Sequence, residues 1–473
     1  MEAKLKMSIC LSGMTAKIKA EVVSIFIKPD HPLVMLSNSL PWQELAEMAM
    51  PDVQKTKKGF WFLGRKLKLR THLGVYLLQL IHNMTDRDAE RFVLDNAAFQ
   101  LFCGLGSVEN WKCPDHTKIE EFRNRLSNET QNAIANFMAQ LGVRLGAADP
   151  SMLDQDSTVQ EANMAYPADA NIMVKLVGKA KKFVDWMLPH LGIFQQNFPG
   201  KIDFKACKSK LKEYFFSSTR GDIEKKKRIF NELYEVCCKE LTKIQQIHLT
   251  PQCIERLPWN MRQAWLQIKS NIDSYLAHVS SFMQTGDMVK GKILSLHLNA
   301  VTCFNKGKLD KKLHFGRAFQ LGRIGGNFLI VTNSETVRMD DKKNVKPMVT
   351  LHQKLFGEDT LKSYGTDRGY FSNANDRFLQ KQVGLTDTAL QKPGFKIESL
   401  SEEKKSIYQS LVDRRSGIEP LIGHAKHKGQ LGKSRMKSDR TILSSGYGAI
   451  TGFNARQLIA FLQHQSKTQL KVA

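Results

Sequence analysis

From Asn171 to about Val289 the chain carries a helical pattern, and the segments on either side of it read as strands. Before it, PSMLDQDSTVQEANMAYPADANIM is a strand-like stretch that runs into Asn, Pro, Ala and Asp, which punctuate a loop. After it, in KLHFGRAFQLGRIGGNFLIVT, Leu313, Phe315, Phe319 and Leu321 alternate. Gly325 and Gly326 supply a tight turn there, and Phe328 to Val331 return as a second strand. Within the helical part, Leu233, Val236, Cys237, Leu241, Ile244 and Ile247 keep to one face, as long hairpin helices require. The arrangement is an α/β fold with large helical parts, in which a mixed sheet is interrupted by an all-helical insertion.

The first 145 residues read as helices. Ser39 is placed as an N-cap before Pro41, with Trp42, Leu45 and Met48 at helical spacing. RTHLGVYLLQLIHNM gives a broad apolar face, a third helix follows Asp86, and Asp115 or Thr117 caps a helix carrying Ile119, Phe122 and Leu126. Beyond the hairpin, VKPMVTLHQKLFG reads as a helix, LKSYGTDRGYFS as a strand ending in a loop, NANDRFLQKQVG as a helix, and Glu402 to about Ala460 as mostly helical. The expected division is 1–145, an N-terminal helical domain; 146–170, the first part of the sheet; 171–290, the insertion; and 291–473, the remainder of the sheet with C-terminal helices.

Length and charge narrow the function. A chain of 473 residues exceeds one compact core. Seventy Lys and Arg against 46 Asp and Glu leave a net charge of +24, which attracts polyanions and drives counterion release when phosphates are neutralised. Eight scattered cysteines without a CxxC pair indicate neither a zinc ribbon nor a disulfide framework. The longest apolar run, Leu73 to Ile81, is far short of the roughly 18 residues a membrane span needs. A soluble cytoplasmic protein without a membrane partner is expected.

The chemistry is written in three acidic phrases. RRSGIEPLIGHAK places Arg415, Glu419 and Lys426 on one helical stretch, a carboxylate between two cations, as metal-assisted phosphodiester chemistry requires: the acid holds a divalent ion and the cations hold phosphates. Asp156 lies on the first strand and Asp367 just beyond the later one. Strand with acid, hairpin, strand with acid, helix with acid is the order in which an RNase H-like sheet gathers three carboxylates at one edge.

These phrases resemble insertion-sequence DDE transposases of bacteria. DSTVQEANMAYPADA is similar to the segment with the first catalytic Asp of that group, DRGYFS to the second, and RRSGIEPLIGHAK to the signature around the last acid. A Tyr of that signature is replaced here by Val412. The stretch from about 30 to 130, with FCGL and IEEFRNRL, resembles the family's N-terminal helical domain, associated with binding the element's ends; the residues alone give a helical bundle, with a scaffold or dimerisation module as the alternative. The resemblance implies that Asp156, Asp367 and Glu419 are catalytic and hold two Mg2+ or Mn2+ ions, with Asp154 as second choice for the first acid. It further implies double-stranded DNA as partner, both as terminal inverted repeats and as target, a homodimer on DNA, and a nucleoid-associated protein of the bacterial cytoplasm. Arg415 and Lys426 are expected on phosphates, and Lys433, Arg435, Lys437 and Arg440 either line a DNA channel or form a solvated face.

Weaker candidates remain. His424 and His427 face phosphate more plausibly than metal. Trp186, Trp259 and Trp265 stack on a flipped base or sit in a core, and the roles of Asp340 and Asp341 are open. The alternatives to a transposase are a metal-dependent nuclease without strand transfer and a DNA-binding protein that has lost catalysis.

Overall fold

The structure, a computed structural model, describes residues 4–8, 22–55, 69–104, 113–165, 167–192, 200–216, 222–286, 289, 291–298, 300–305, 313–332, 340–385, 387–390, 392 and 394–472. Residues 105–112, from the Leu of FCGL onward, and Tyr166 lie outside them. The chain divides into two compact units, Met1–Asn163 with Thr302–Ala473, and Met164–Val301. Among the described residues no helix is long and apolar enough to cross a membrane, and the seven described cysteines are thiols rather than disulfides.

In the first unit, β1 (Lys4–Ser8) and β2 (Val22–Phe26) pair antiparallel. Helices α1 (Pro32–Ser39), α2 (Trp42–Lys55), α3 (Leu69–His82), α4 (Asp86–Asp95), α5 (Ala97–Phe102), α6 (His116–Arg125) and α7 (Asn128–Arg144) follow. Their starts are chemically marked. Thr85 and Asp88 form a reciprocal capping box on α4, and the Asp115 carboxylate accepts the backbone N–H groups of Thr117 and Lys118 at 2.9 and 3.0 Å on α6. Ser39 departs from its expected place. It ends α1, its hydroxyl donating to the Met35 carbonyl at 2.9 Å, because PLVMLSNS is itself helical with Pro32 in the first turn and His31 as cap.

The sheet is built around β3 (Met152–Glu161). Along one edge β3 pairs antiparallel with β5 (Leu313–Ile324); along the other it pairs parallel with β7 (Ser363–Gly365), which in turn pairs parallel with β8 (Asp387–Ala389). The outer edge of β5 is shared by β4 (Thr302–Asn305) at one end and β6 (Phe328–Val331) at the other, both antiparallel. The β5–β6 turn has Gly326 at φ 76°, a conformation that costs a side-chain-bearing residue about 1 kcal/mol. Among the described residues β6 has no further strand beside it. Instead Asn136 donates to the Val331 carbonyl and accepts its N–H (3.0 and 2.8 Å), and Asn454 does the same at Leu329 (2.7 and 2.9 Å). Two buried amides thus finish the ladder, sparing the edge its unpaired backbone groups.

Helices α13 (Val345–Phe356), α14 (Asn373–Arg377), α15 (Glu402–Ser416), α16 (Ile418–His427) and α17 (Asp439–Val472) complete this unit. One apolar core joins Leu73 and Tyr76 of α3, Phe137 of α7, Leu153 of β3, Ile324, Phe328 and Tyr364. The helices before residue 145 and the sheet are therefore one compact unit. A smaller core packs α16 and α17, through Ile418, Ile422, Tyr447 and Ile450, with Phe319, Leu321 and Leu329.

The second unit holds α8 (Asp169–His190), α9 (Phe204–Phe216), α10 (Ile223–Gln245), α11 (Pro251–Arg256) and α12 (Trp259–Thr285). Of the α10 face read from sequence, Leu233, Cys237, Leu241, Ile244 and Ile247 are buried in its core, with Val236 packed against it. Tyr275 and Lys292 both reach the Asp169 carboxylate, at 2.8 and 2.7 Å.

Candidate active site

Asp154 and Asp156 stand two residues apart on β3 and so face the same side of the sheet. They have different surroundings. Asp154 is fully buried, and Arg414 reaches its Oδ1 through Nε and Nη2 at 3.0 and 2.8 Å while Arg323 lies 3.7 Å from Oδ2. Burial still pushes its carboxyl upward, against the pull of these arginines. Arg414 also donates to the Ser363 hydroxyl at 2.6 Å, so one guanidinium ties the end of α15 across β3 and β7. The close approach needs Gly365, where a Cβ would come within 2.6 Å of Asp154 Oδ1. Asp154 is thereby committed to holding a helix.

The neighbouring arginine does something else. Arg415 Nη2 lies 3.5 Å from Asp156 Oδ2 and 4.0 Å from Asp367 Oδ2, and Nη1 lies 3.6 Å from Glu419 Oε1. One guanidinium thus meets an acid from β3, one from the turn after β7 and one from the first turn of α16. Asp156 and Asp367 each spend their other oxygen on the backbone, on the Ser157 and Gly369 N–H groups, both at 2.7 Å. Burial raises the Asp156 carboxyl, and the charges of Asp367 and Glu419 add to that, while the Ser157 N–H and Arg415 oppose it. Sequence placed Arg415, Glu419 and Lys426 on one helical stretch. The structure breaks it at Gly417 into α15 and α16, and Arg323 takes the Arg414 carbonyl at 2.7 Å, a group that a continuous helix would bond itself.

Other candidates lie elsewhere. Lys426 is half-buried two turns along α16 from Glu419, about 10 Å of helix. Lys433 forms a bridge beside Glu161, five residues along β3 from Asp156 or about 17 Å of strand, and Arg435 donates to the Asn83 carbonyl at 3.0 Å. The structure does not bring these two to the three acids. Arg440 likewise spends its guanidinium on the Asn124 carbonyl at 2.6 Å. His424 and His427 are exposed at the end of α16. Trp265 is core and stacks on Phe183, Trp186 stacks on His190, and Trp259 is exposed.

Asp341, left open by sequence, is drawn toward the cluster. Its Oδ1 accepts the Gln320 amide at 2.9 Å, and burial first and then the charge of Asp367 raise its carboxyl. Nothing in its polar loop marked it out, because the fold is what brings it within electrostatic reach of Asp367. The role of Arg414 was hidden similarly, since a tandem RR gives no sign that one member is an anchor and the other a bridge.

The donor set fits a divalent ion of the magnesium type. It offers carboxylate oxygens alone, and three negative charges meet one positive guanidinium, leaving an excess of negative charge at a half-buried place. Among the described residues no group of three or more His, Cys, Asp or Glu side chains is placed to hold a metal ion; the three acids meet at the Arg415 guanidinium instead.

Comparison with known proteins adds an independent line. Residues 21–125 match the model of a family described as Transposase domain (DUF772). That likeness supports a transposase. It covers β2 to α6 and stops before the sheet, so all three acids lie outside it. A curated relative, the uncharacterized protein ORF8 in nfe locus of Rhizobium meliloti, is 26% identical over 165 residues, which make up 33% of this chain and 76% of that protein. No solved structure matches the chain.

Proposed function

We propose that the chain is a DDE transposase with an RNase H-like core. In this reading it binds the terminal inverted repeats of its own element as double-stranded DNA, cuts phosphodiester bonds, and joins the freed 3′ hydroxyl to target DNA. The observation that carries it is the meeting of Asp156, Asp367 and Glu419 at one guanidinium, from three elements spread between residues 156 and 419 of the sequence. The strand order supports it too: a central strand antiparallel to a hairpin on one side and parallel to two strands on the other is what an RNase H-like sheet requires. The likeness of residues 21–125 to a transposase domain supplies the activity class.

Asp156, Asp367 and Glu419 would hold the metal. Two divalent ions, Mg2+ or Mn2+, supply activation of the attacking oxygen and neutralisation of the leaving one. The chain's own contribution is positional. Asp156 and Asp367 are fixed by backbone N–H groups, and the end of α15 by the Arg414 anchor. Lys426, on the helix that carries Glu419, holds phosphate, and the charge of +24 supplies the wider attraction for the duplex. Lys433 and Arg435 contact DNA away from the acids. Joining two element ends calls for a homodimer on DNA, in the nucleoid.

The test is to replace Asp156 and Asp367 by Asn and Glu419 by Gln, one at a time. Each variant keeps duplex binding and loses divalent-dependent nicking and joining. Wild-type nicking by any of them removes that residue from the site, and nicking without joining by the unaltered protein leaves a nuclease.

A further inference from the structure

The two arginines at the end of α15 divide two tasks. Arg414 is fastened to Asp154 and Ser363, and the Cβ of Arg415 lies 3.4 Å from where a Cβ on Gly365 would stand, so the backbone at 415 is held against the sheet. Beyond its Cβ, the Arg415 side chain reaches the three acids by longer contacts of 3.5, 3.6 and 4.0 Å, and its Nε is buried without a hydrogen-bond partner among the described residues. A guanidinium held this way is a loose fit, and it spreads the carboxylates around a planar group. A magnesium-type ion demands oxygens at about 2.0–2.1 Å and cannot share that space with a second cation.

We propose that Arg415 is the resident counter-cation of the three carboxylates, displaced when a divalent ion enters and captured by DNA phosphate when it leaves. The proposal rests on the metal-site reading above. With the backbone pinned by Arg414, the change is confined to side-chain torsions, and Arg415 alternates between an acid-paired and a phosphate-paired position. Metal and duplex then favour the same position. Linkage requires each to tighten the other by the same factor. The metal-free protein charges its site less readily until DNA is present, since a phosphate then offers the guanidinium another partner.

The experiment is a calorimetric titration of Mn2+ into the full chain, with and without a duplex of arbitrary sequence at low salt, for the wild type and for Arg415→Ala and Arg415→Gln. Without DNA the two variants bind Mn2+ tighter than the wild type, on the order of tenfold. The duplex tightens wild-type binding by a similar factor and leaves the variants unchanged. A second readout is thermal melting: both variants melt lower than the wild type without metal, because the acids face one another uncompensated, and Mn2+ raises their melting temperature by more. Variants that bind Mn2+ no tighter than the wild type, or a duplex that tightens all three alike, overturn the proposal while leaving the metal site standing. Absence of Mn2+ binding in every form, with and without duplex, removes the metal site itself.

Discussion

At the scale of single residues, the two aspartates of β3 make opposite predictions. Asp154 is fully buried and paired, so Asp154→Asn leaves Arg414 with an uncompensated charge, and urea unfolding is expected to show a loss of about 3 kcal/mol. Asp156 is held near two other carboxylates, and burial and those charges push its carboxyl up, which means that its ionised form is disfavoured in the folded state. Asp156→Asn removes that penalty. The same measurement is expected to find it as stable as the wild type or more so, although nicking is lost. A destabilising Asp156→Asn would say that Asp156 is a structural acid.

His352 supplies a pH dependence of its own. It is fully buried on α13, its Nε2 donates to the Pro150 carbonyl at 2.8 Å, and burial lowers its pKa to about 4. The unfolded chain takes up a proton on this imidazole near pH 6.5 and the folded one only near 4. Stability is therefore full above 6.5, falls as pH drops from 6.5 to 4, and levels below that, a loss of up to about 3 kcal/mol at this one group. His352→Gln, which keeps a donor for Pro150, is expected to flatten this part of the stability–pH curve measured by urea unfolding.

At the scale of elements, the edge strand β6 depends on two side chains. Asn454→Ala strips Leu329 of both its partners on the outer edge and buries an unpaired N–H and C=O, at an expected cost of about 2–4 kcal/mol. Hydrogen exchange is expected to lose protection at Leu329 and Val331 before the rest of the sheet opens. The long elements were legible in the sequence because their periodicity is local: the face of α10, the β5–β6 hairpin with its glycine turn, and the Asp115 cap of α6. The strand read in LKSYGTDRGYFS is β7, but β8, with three residues, is too short to carry a period of its own. The break between α15 and α16 was not legible either, because Gly417 has helical dihedrals and the interruption comes from Arg323, about ninety residues upstream.

At the scale of the whole molecule, the chain leaves the first unit at Asn163 and returns at Thr302, and Glu161 and Thr302 flank the same residue of β5, Gly316. The two ends of the insertion are thus two strand spacings apart, about 10 Å. A short Gly/Ser linker spans that distance, so replacing 164–301 is expected to leave the first unit folded, with a single cooperative melt and unchanged protection of β3 and β5. Aggregation of the shortened chain would mean that the sheet needs the helical unit to fold. The candidate site was legible in part. Three acidic phrases pointed to Asp156, Asp367 and Glu419, and the fold brings these together. The basic run after the last acid did not fall into one place, since charge in a sequence does not say which way a loop turns, and Lys433 and Arg435 stand at the far end of β3.

The most direct measurement replaces the magnesium-type ion by Fe2+ and lets it cut the polypeptide by locally generated hydroxyl radicals. Cuts clustered near residues 156, 367 and 419, suppressed by excess Mg2+ and absent in Asp156→Asn, are the expected result. Cuts that fall elsewhere, or that persist unchanged in Asp156→Asn, would contradict a metal site formed by these three carboxylates.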